Sequence, residues 1–153
     1  MTKEDFIRLA TTAALASSAQ SGLPAGITVA QATLESAWGN SQLAHLAHNY
    51  FGIKYRPSCD AEFIELPTCE VINGQRITTR ARFAKFGSID ACFDARDHII
   101  LTAPCYADTR AHCSDPEAFV AALATHWATD PDYAAKLLRL YRAHHLDQLD
   151  HKT

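Results

Sequence analysis

The stretch INGQRITTRARF, residues 72–83, decides the fold. Asn73-Gly74 stands between two β-like runs, and an Asn-Gly pair readily takes the two positive φ angles of a tight hairpin turn. The run after it alternates. Ile77, Thr79, Ala81 and Phe83 share one face, and Arg76, Thr78, Arg80 and Arg82 the other. A two-residue loop also sets the register, with Ile72 opposite Gln75 and Glu70 opposite Ile77. Glu70 then lies on the face of Ile72, Ile77 and Thr79, away from Arg80 and Arg82. A carboxylate that served only solubility would sit more naturally among the arginines. One bulge at the turn would reverse this assignment.

Strand character extends over residues 55–86, and helices dominate on both sides. An amphipathic helix opens the chain, with Thr2 as N-cap and Phe6, Leu9, Ala13 and Ala16 on one stripe. The run SGLPAG breaks it, and a second helix spans about 24–38 before Gly39-Asn40 stops it. After the hairpin, Ser88 caps a helix that turns Ile89, Cys92, Phe93 and Ile99 inward. Ser114 and Glu117 form a capping box for the next, which carries Phe119, Val120, Leu123 and Trp127. Asp130-Pro131 starts the last, with Tyr133, Leu137, Leu140 and Tyr141 on its stripe. The layout is α+β and mostly helical, within a single domain spanning 1–153.

Composition excludes several function classes. The 153 residues are 48% hydrophobic and 20% charged, with a formal net charge of −3. There is no run of Lys or Arg, which argues against nucleic acid, and no apolar run long enough for a membrane span. The first twenty residues carry Glu4 and Asp5 and a short apolar part, so they do not read as a signal peptide. The five cysteines allow two local pairs, Cys59 with Cys69 and Cys105 with Cys113, and leave Cys92 as a buried thiol. His45 and His48 are an i,i+3 step apart, but no third metal ligand is evident.

Glu35 is the one carboxylate in QATLESAWG, residues 31–39. Its helix is apolar or small on every side, and such helices are usually buried. Position alone leaves two readings. Glu35 is either a solvent-facing helical residue or a desolvated carboxyl that keeps its proton, as a general acid must. A buried acid on a helix and a second carboxylate on a β-lobe suggest a cleft between two lobes. Paired carboxylates flanking a bond are the glycosidase arrangement.

The segments GLPAGITVAQATLESAWGNSQLA, NYFGIKY, TCEVING and HWATDPDYAAKL, in this order and spacing, resemble the glucosaminidase domains of family 73 glycoside hydrolases. The likeness runs from about Gly22 to Leu140. It implies a lysozyme-like, two-lobed fold with a β-hairpin lobe and a cleft between the lobes. It implies that Glu35 is the general acid and Glu70 the second carboxylate. It carries over Asn49, Tyr50, Phe51, Trp127 and Tyr133 as substrate-binding positions, with Asn49, Tyr50 and Phe51 expected to shape the cleft beneath the sugar. Trp127 departs from the family, which commonly has a cleft-lining Tyr there. An indole can stack on a sugar but offers no phenolic hydroxyl.

The implied activity is hydrolysis of the β-1,4 bond between N-acetylglucosamine and N-acetylmuramic acid in peptidoglycan glycan strands, in the cell wall. No metal or other cofactor is required. A muramidase, a lytic transglycosylase on the same polymer, or a catalytically weak glycan-binding module are the alternatives. Without a signal peptide, delivery would follow another route. A secreted effector would need an immunity protein as partner.

Overall fold

The computed structural model describes residues 1–58 and 62–150. Among these residues the expected helices and hairpin follow in order, with two further short helices, α3 and α5: α1 (Lys3–Ser21), α2 (Ala25–Glu35), α3 (Gln42–Ala47), β1 (Glu62–Ile72), β2 (Gln75–Lys85), α4 (Ile89–Thr102), α5 (Ala107–Arg110), α6 (Pro116–Trp127) and α7 (Tyr133–Ala143). Helix α2 is the centre. Every residue from Ala25 to Thr33 is buried, with α1, α7 and a C-terminal 3-10 turn (Leu146–Leu149) packed around it. Helices apolar on all sides belong inside, and small side chains let neighbours approach closely.

The α1 stripe is rotated from the expected one. Thr2 caps the helix as expected, its hydroxyl accepting from Asp5 N at 3.1 Å. The buried residues are Phe6, Ala10, Ala13, Ala14 and Ser17, while Leu9 is 38% exposed. Alanines at the contact bring α1 close to α2, and the bulkier Leu9 falls outside it. At α6 the cap is Asp115, which accepts from Ala118 N at 3.2 Å, with Pro116 in the first turn. The expected Ser114–Glu117 box does not form; Glu117 instead pairs with Arg142 of α7 at 2.6 Å.

The hairpin has the expected register, with Glu70 opposite Ile77 and Ile72 opposite Gln75. Asn73 and Gly74 adopt φ of 52° and 77°, the left-handed pair that a type I′ turn requires. The base of the hairpin is tied to the helical body through residues 49–55. Asn49 Nδ2 donates to the carbonyls of Ile53 and Ala84, both at 2.9 Å. Ala84 N donates to Ile53 O and Tyr55 N to Arg82 O. On the face away from Glu70, Arg80 and Arg82 flank Glu65 and Arg82 lies over the Phe63 ring. The tip stands clear of the body, with Val71 70% exposed.

Cys92 is a buried thiol, as its helical pattern suggested, and burial pushes it up to about 12. Cys105 carries a free thiol, so the local bridge to Cys113 does not form. Cys59 lies outside the described residues, and its pairing with Cys69 with it. No described helix is long and apolar enough to cross a membrane.

The N-terminus of α2 is closed by a residue 124 positions away: Gly26 N donates to Asp150 Oδ1 at 2.8 Å. The other Asp150 oxygen accepts from the Tyr141 hydroxyl at 2.8 Å. The fit needs a glycine, since a Cβ at Gly26 would lie 2.2 Å from Leu146 O. A carboxylate at a helix N-terminus satisfies an otherwise orphaned N–H and favours the macrodipole. Asp150→Ala should therefore cost about 1–2 kcal/mol. That corresponds to roughly 3–6 °C of melting temperature in a domain of this size, read by thermal unfolding followed by circular dichroism.

Candidate active site

Glu35 is the last residue of α2, three positions before the end that the sequence suggested. The helix stops because Ala37, Trp38 and Gly39 adopt φ of 50°, 60° and 78° in succession. Left-handed geometry at a non-glycine residue costs about 1–2 kcal/mol, so the turn must be held. Ser36 Oγ donates to Ala32 O at 2.6 Å and accepts from Gly39 N at 2.9 Å. Trp38 lies between the Lys3 ammonium, 4.8 Å from its ring centroid, and the edge of His144. Gly39 faces the Phe6 ring, where a Cβ would lie 2.6 Å from a ring carbon.

Ending the helix at Glu35 sets its electrostatics. Burial raises the Glu35 carboxyl above its ordinary range, and a hydrogen bond with the Tyr133 hydroxyl pulls it partly back. The C-terminal end of a helix carries partial negative charge, which also disfavours a carboxylate there. The acid is thus held toward its protonated form. Tyr133 is itself buried, and burial followed by the nearby Glu35 raises its phenol. Gln31, one turn back on α2, donates from Nε2 to the Tyr133 oxygen at 3.2 Å.

Glu35 opens onto a cleft of about 1100 Å³. Thr68 and Glu70 line its hairpin wall, and Trp127, Asp130, Tyr133 and Lys136 line the wall formed by α6, α7 and their connection. Phe51 and Gly52 form the floor beside Glu35; a Cβ on Gly52 would lie 3.6 Å from Glu35 Oε2. Glu70 is solvated and faces the Lys54 ammonium at 3.7 Å. The two carboxyl groups therefore sit in opposite environments, one desolvated and one wet and ion-paired. Such a split lets two like groups take different roles.

The structure brings Glu35, Glu70, Phe51, Trp127 and Tyr133 into one cleft. It does not bring Asn49 and Tyr50 there. Asn49 is buried, and its amide is spent on the backbone of residues 51, 53 and 84. Tyr50 is buried between Phe6 and Phe93. Both shape the cleft from beneath, where a sugar cannot reach them. Trp127 donates from Nε1 to Phe51 O at 3.4 Å and packs against Tyr106. The phenol next to the acid belongs to Tyr133, six residues later, so an indole at 127 does not leave the site without one. Among the described residues no three His, Cys, Asp or Glu side chains cluster to hold a metal.

Lys54, Gln31 and Arg96 were not singled out from sequence. Lys54 sits inside NYFGIKY, and its place opposite a hairpin carboxylate was the available signal. Arg96 lies in the charged run DARD, residues 94–97. In the structure it is fully buried.

A family model described as mannosyl-glycoprotein endo-β-N-acetylglucosaminidase matches residues 11–146. The exo-glucosaminidase LytG of Bacillus subtilis is 35% identical over 129 residues, covering 81% of this chain and 45% of the relative. The peptidoglycan hydrolase FlgJ of Salmonella typhimurium is 34% identical over 139 residues, covering 88% and 44%. The chain thus spans under half the length of these curated relatives. The catalytic domain of the autolysin Auto from Listeria monocytogenes superposes with a TM-score of 0.83 at 27% identity, over 96% of this chain and 86% of that domain. The matched segments contain Glu35, the hairpin and the cleft walls, and the chain belongs to the glucosaminidase family of glycoside hydrolases.

Proposed function

We propose that this chain is an endo-β-N-acetylglucosaminidase that cleaves the β-1,4 bond between N-acetylglucosamine and N-acetylmuramic acid in peptidoglycan. The observation that carries the reading is the desolvated Glu35 carboxyl at the base of a cleft whose opposite wall presents Glu70. Family membership supports it. Among relatives, LytG is named an exo-glucosaminidase and FlgJ a peptidoglycan hydrolase.

In this reading Glu35 gives its proton to the glycosidic oxygen as the C1–O bond breaks. Positive charge develops on C1 and the ring oxygen. Water then adds to C1, oriented or deprotonated by Glu70. In the other route the substrate's own acetamido oxygen closes on C1 first, with Glu70 steadying it. Trp127 offers its indole to a sugar face, and Tyr133 keeps Glu35 in place. The site of action is the cell wall. If the chain is delivered as an antibacterial effector, the partner it requires is an immunity protein that fills this cleft.

The linkage is tested by digesting purified peptidoglycan, reducing the products with borohydride and identifying the reduced end by mass spectrometry. Glucosaminitol ends are expected; muramitol ends would establish a muramidase and anhydro ends a transglycosylase.

Glu35→Gln should lower turnover about 100-fold or more. It should also stabilise the fold, with a sign fixed by linkage. A carboxyl whose folded pKa is raised binds more protons folded than unfolded, so stability is lost as pH rises through that window. The melting temperature of Glu35→Gln should exceed that of the wild type increasingly as pH rises above the ordinary carboxyl range. A gap that stays constant with pH would show that the folded Glu35 carboxyl is not raised.

Glu70→Gln should slow hydrolysis by more than about tenfold, equivalent to about 1.4 kcal/mol in the barrier. A smaller loss, measured on the same substrate, would leave Glu70 only as a partner for Lys54.

A further inference from the structure

Behind Glu35 a chain of hydrogen bonds runs into the core. The Tyr133 hydroxyl and the Glu35 carboxyl lie side by side on the cleft lining and interact, and Gln31 Nε2 donates to the Tyr133 oxygen at 3.2 Å. Gln31 Oε1 accepts from Arg96 Nε at 2.9 Å. Arg96 Nη1 donates to Thr28 Oγ1 and to Asp97 Oδ1, both at 2.8 Å. Asp97 Oδ2 in turn accepts from Ser21 Oγ at 2.9 Å. Gln31 and Arg96 are both 0% exposed, and neither lines the cleft.

The direction of every link is forced. A guanidinium has donors only, so Gln31 must turn its oxygen to Arg96. Its NH₂ group then faces Tyr133, and the phenolic oxygen is the acceptor there. Tyr133 has one proton, and Glu35 is the acceptor left for it. Turning the carboxamide over would set NH₂ against guanidinium in a fully buried site. Arg96 is fixed in its turn by Thr28, by Asp97 and by the Phe51 ring beneath its guanidinium, 5.6 Å from the ring centroid.

We propose that Gln31 and Arg96 are positioning residues that make the Tyr133 hydroxyl a permanent donor to Glu35. The consequence is chemical. In the protonated acid, Tyr133 bonds the carbonyl-type oxygen, which leaves the acidic proton on the other oxygen. As that proton departs, the bond from Tyr133 strengthens onto the growing carboxylate, so it favours the transition state over the ground state. Glu35 also faces Glu70 and Lys54 from the hairpin side and His126, Asp130 and Lys136 from the α6–α7 wall of the cleft. All of these are retained in the variants below. The inference rests on Glu35 being the acid.

Gln31→Met removes the donor without touching the cleft. It should lower kcat about tenfold and leave KM within about twofold, because Gln31 acts only through Tyr133. The basic limb of the pH–rate profile should move to higher pH, since a donor that favours the Glu35 carboxylate is no longer fixed. In a Tyr133→Phe background the same substitution should change neither kcat nor the limb further, as two residues acting through one hydroxyl are not additive. A full further loss in that background, or a wild-type profile for Gln31→Met, would overturn the proposal. If Gln31→Met does not fold, Gln31→Glu keeps an acceptor for Arg96 and puts an acceptor in front of Tyr133. Its rate should fall to the Tyr133→Phe level, and a wild-type rate would overturn the proposal. An active Glu35→Gln would remove the acid assignment itself. An inert Glu35→Gln with a wild-type Gln31→Met would remove the positioning role alone.

Discussion

The burial of α2 on every side is the constraint from which the rest of the molecule follows. A helix that carries only Ala, Gly, Thr, Val, Ile and the single amide of Gln31 along its buried length can be surrounded closely by α1 and α7. Its one carboxylate then has to emerge at an end or be desolvated. Glu35 does both. It closes the helix at the C-terminal end, where the backbone carbonyls repel a negative charge, and it is largely removed from water. Each effect alone would hold a carboxyl toward its neutral form. Together they make an acid without any neighbouring negative charge being needed to raise it, and Tyr133 moderates the shift while keeping the side chain still.

The hairpin answers a different need. A solvated, ion-paired carboxylate cannot share the core with a desolvated one. Placing Glu70 on a two-stranded arm puts it across the cleft, on the face away from Arg80 and Arg82. The arm is anchored at its base, through Asn49, Ile53 and Ala84. Buried side-chain amides that satisfy several backbone groups at once fix the relative placement of two segments. Asn49 thus governs where Glu70 stands without touching a sugar.

The hairpin was legible because its register is set by two residues, and Asn73-Gly74 leaves little choice. Helix order and the caps at Thr2 and Ser88 were legible for the same local reason. What failed was tertiary. The end of α2 depends on a left-handed turn at Ala37 and Trp38, residues with no intrinsic preference for it, held by Ser36 and the Lys3–Trp38–His144 stack. The stripe of α1 shifted because alanines, not Leu9, meet α2. At the site, Glu35, Glu70, Trp127 and Tyr133 were readable from the motif around each. Arg96 was not, since nothing in a run of charges says which one points inward. Asn49 and Tyr50 lie beneath the cleft, as a role in shaping it requires, and neither lines it.

Arg96 and Asp97 make the cost of this design visible. Two charged neighbours on one helix are buried, and Nη2 of Arg96 has no hydrogen-bond partner among the described residues. A buried ion pair seldom stabilises a fold relative to apolar packing, so stability alone gives no reason for this one. Geometry does. An arginine reaches Gln31, Thr28 and Asp97 at once, which no apolar side chain could do. The unfavourable terms of the molecule, the desolvated acid, the left-handed turn after it and the buried guanidinium, converge on Glu35 and Tyr133. The favourable ones lie elsewhere, in the alanine-lined contact with α1 and in the Asp150 carboxylate that closes the far end of α2. Helix α2 is strained at one end and locked at the other, and that division keeps a desolvated carboxyl in a folded protein.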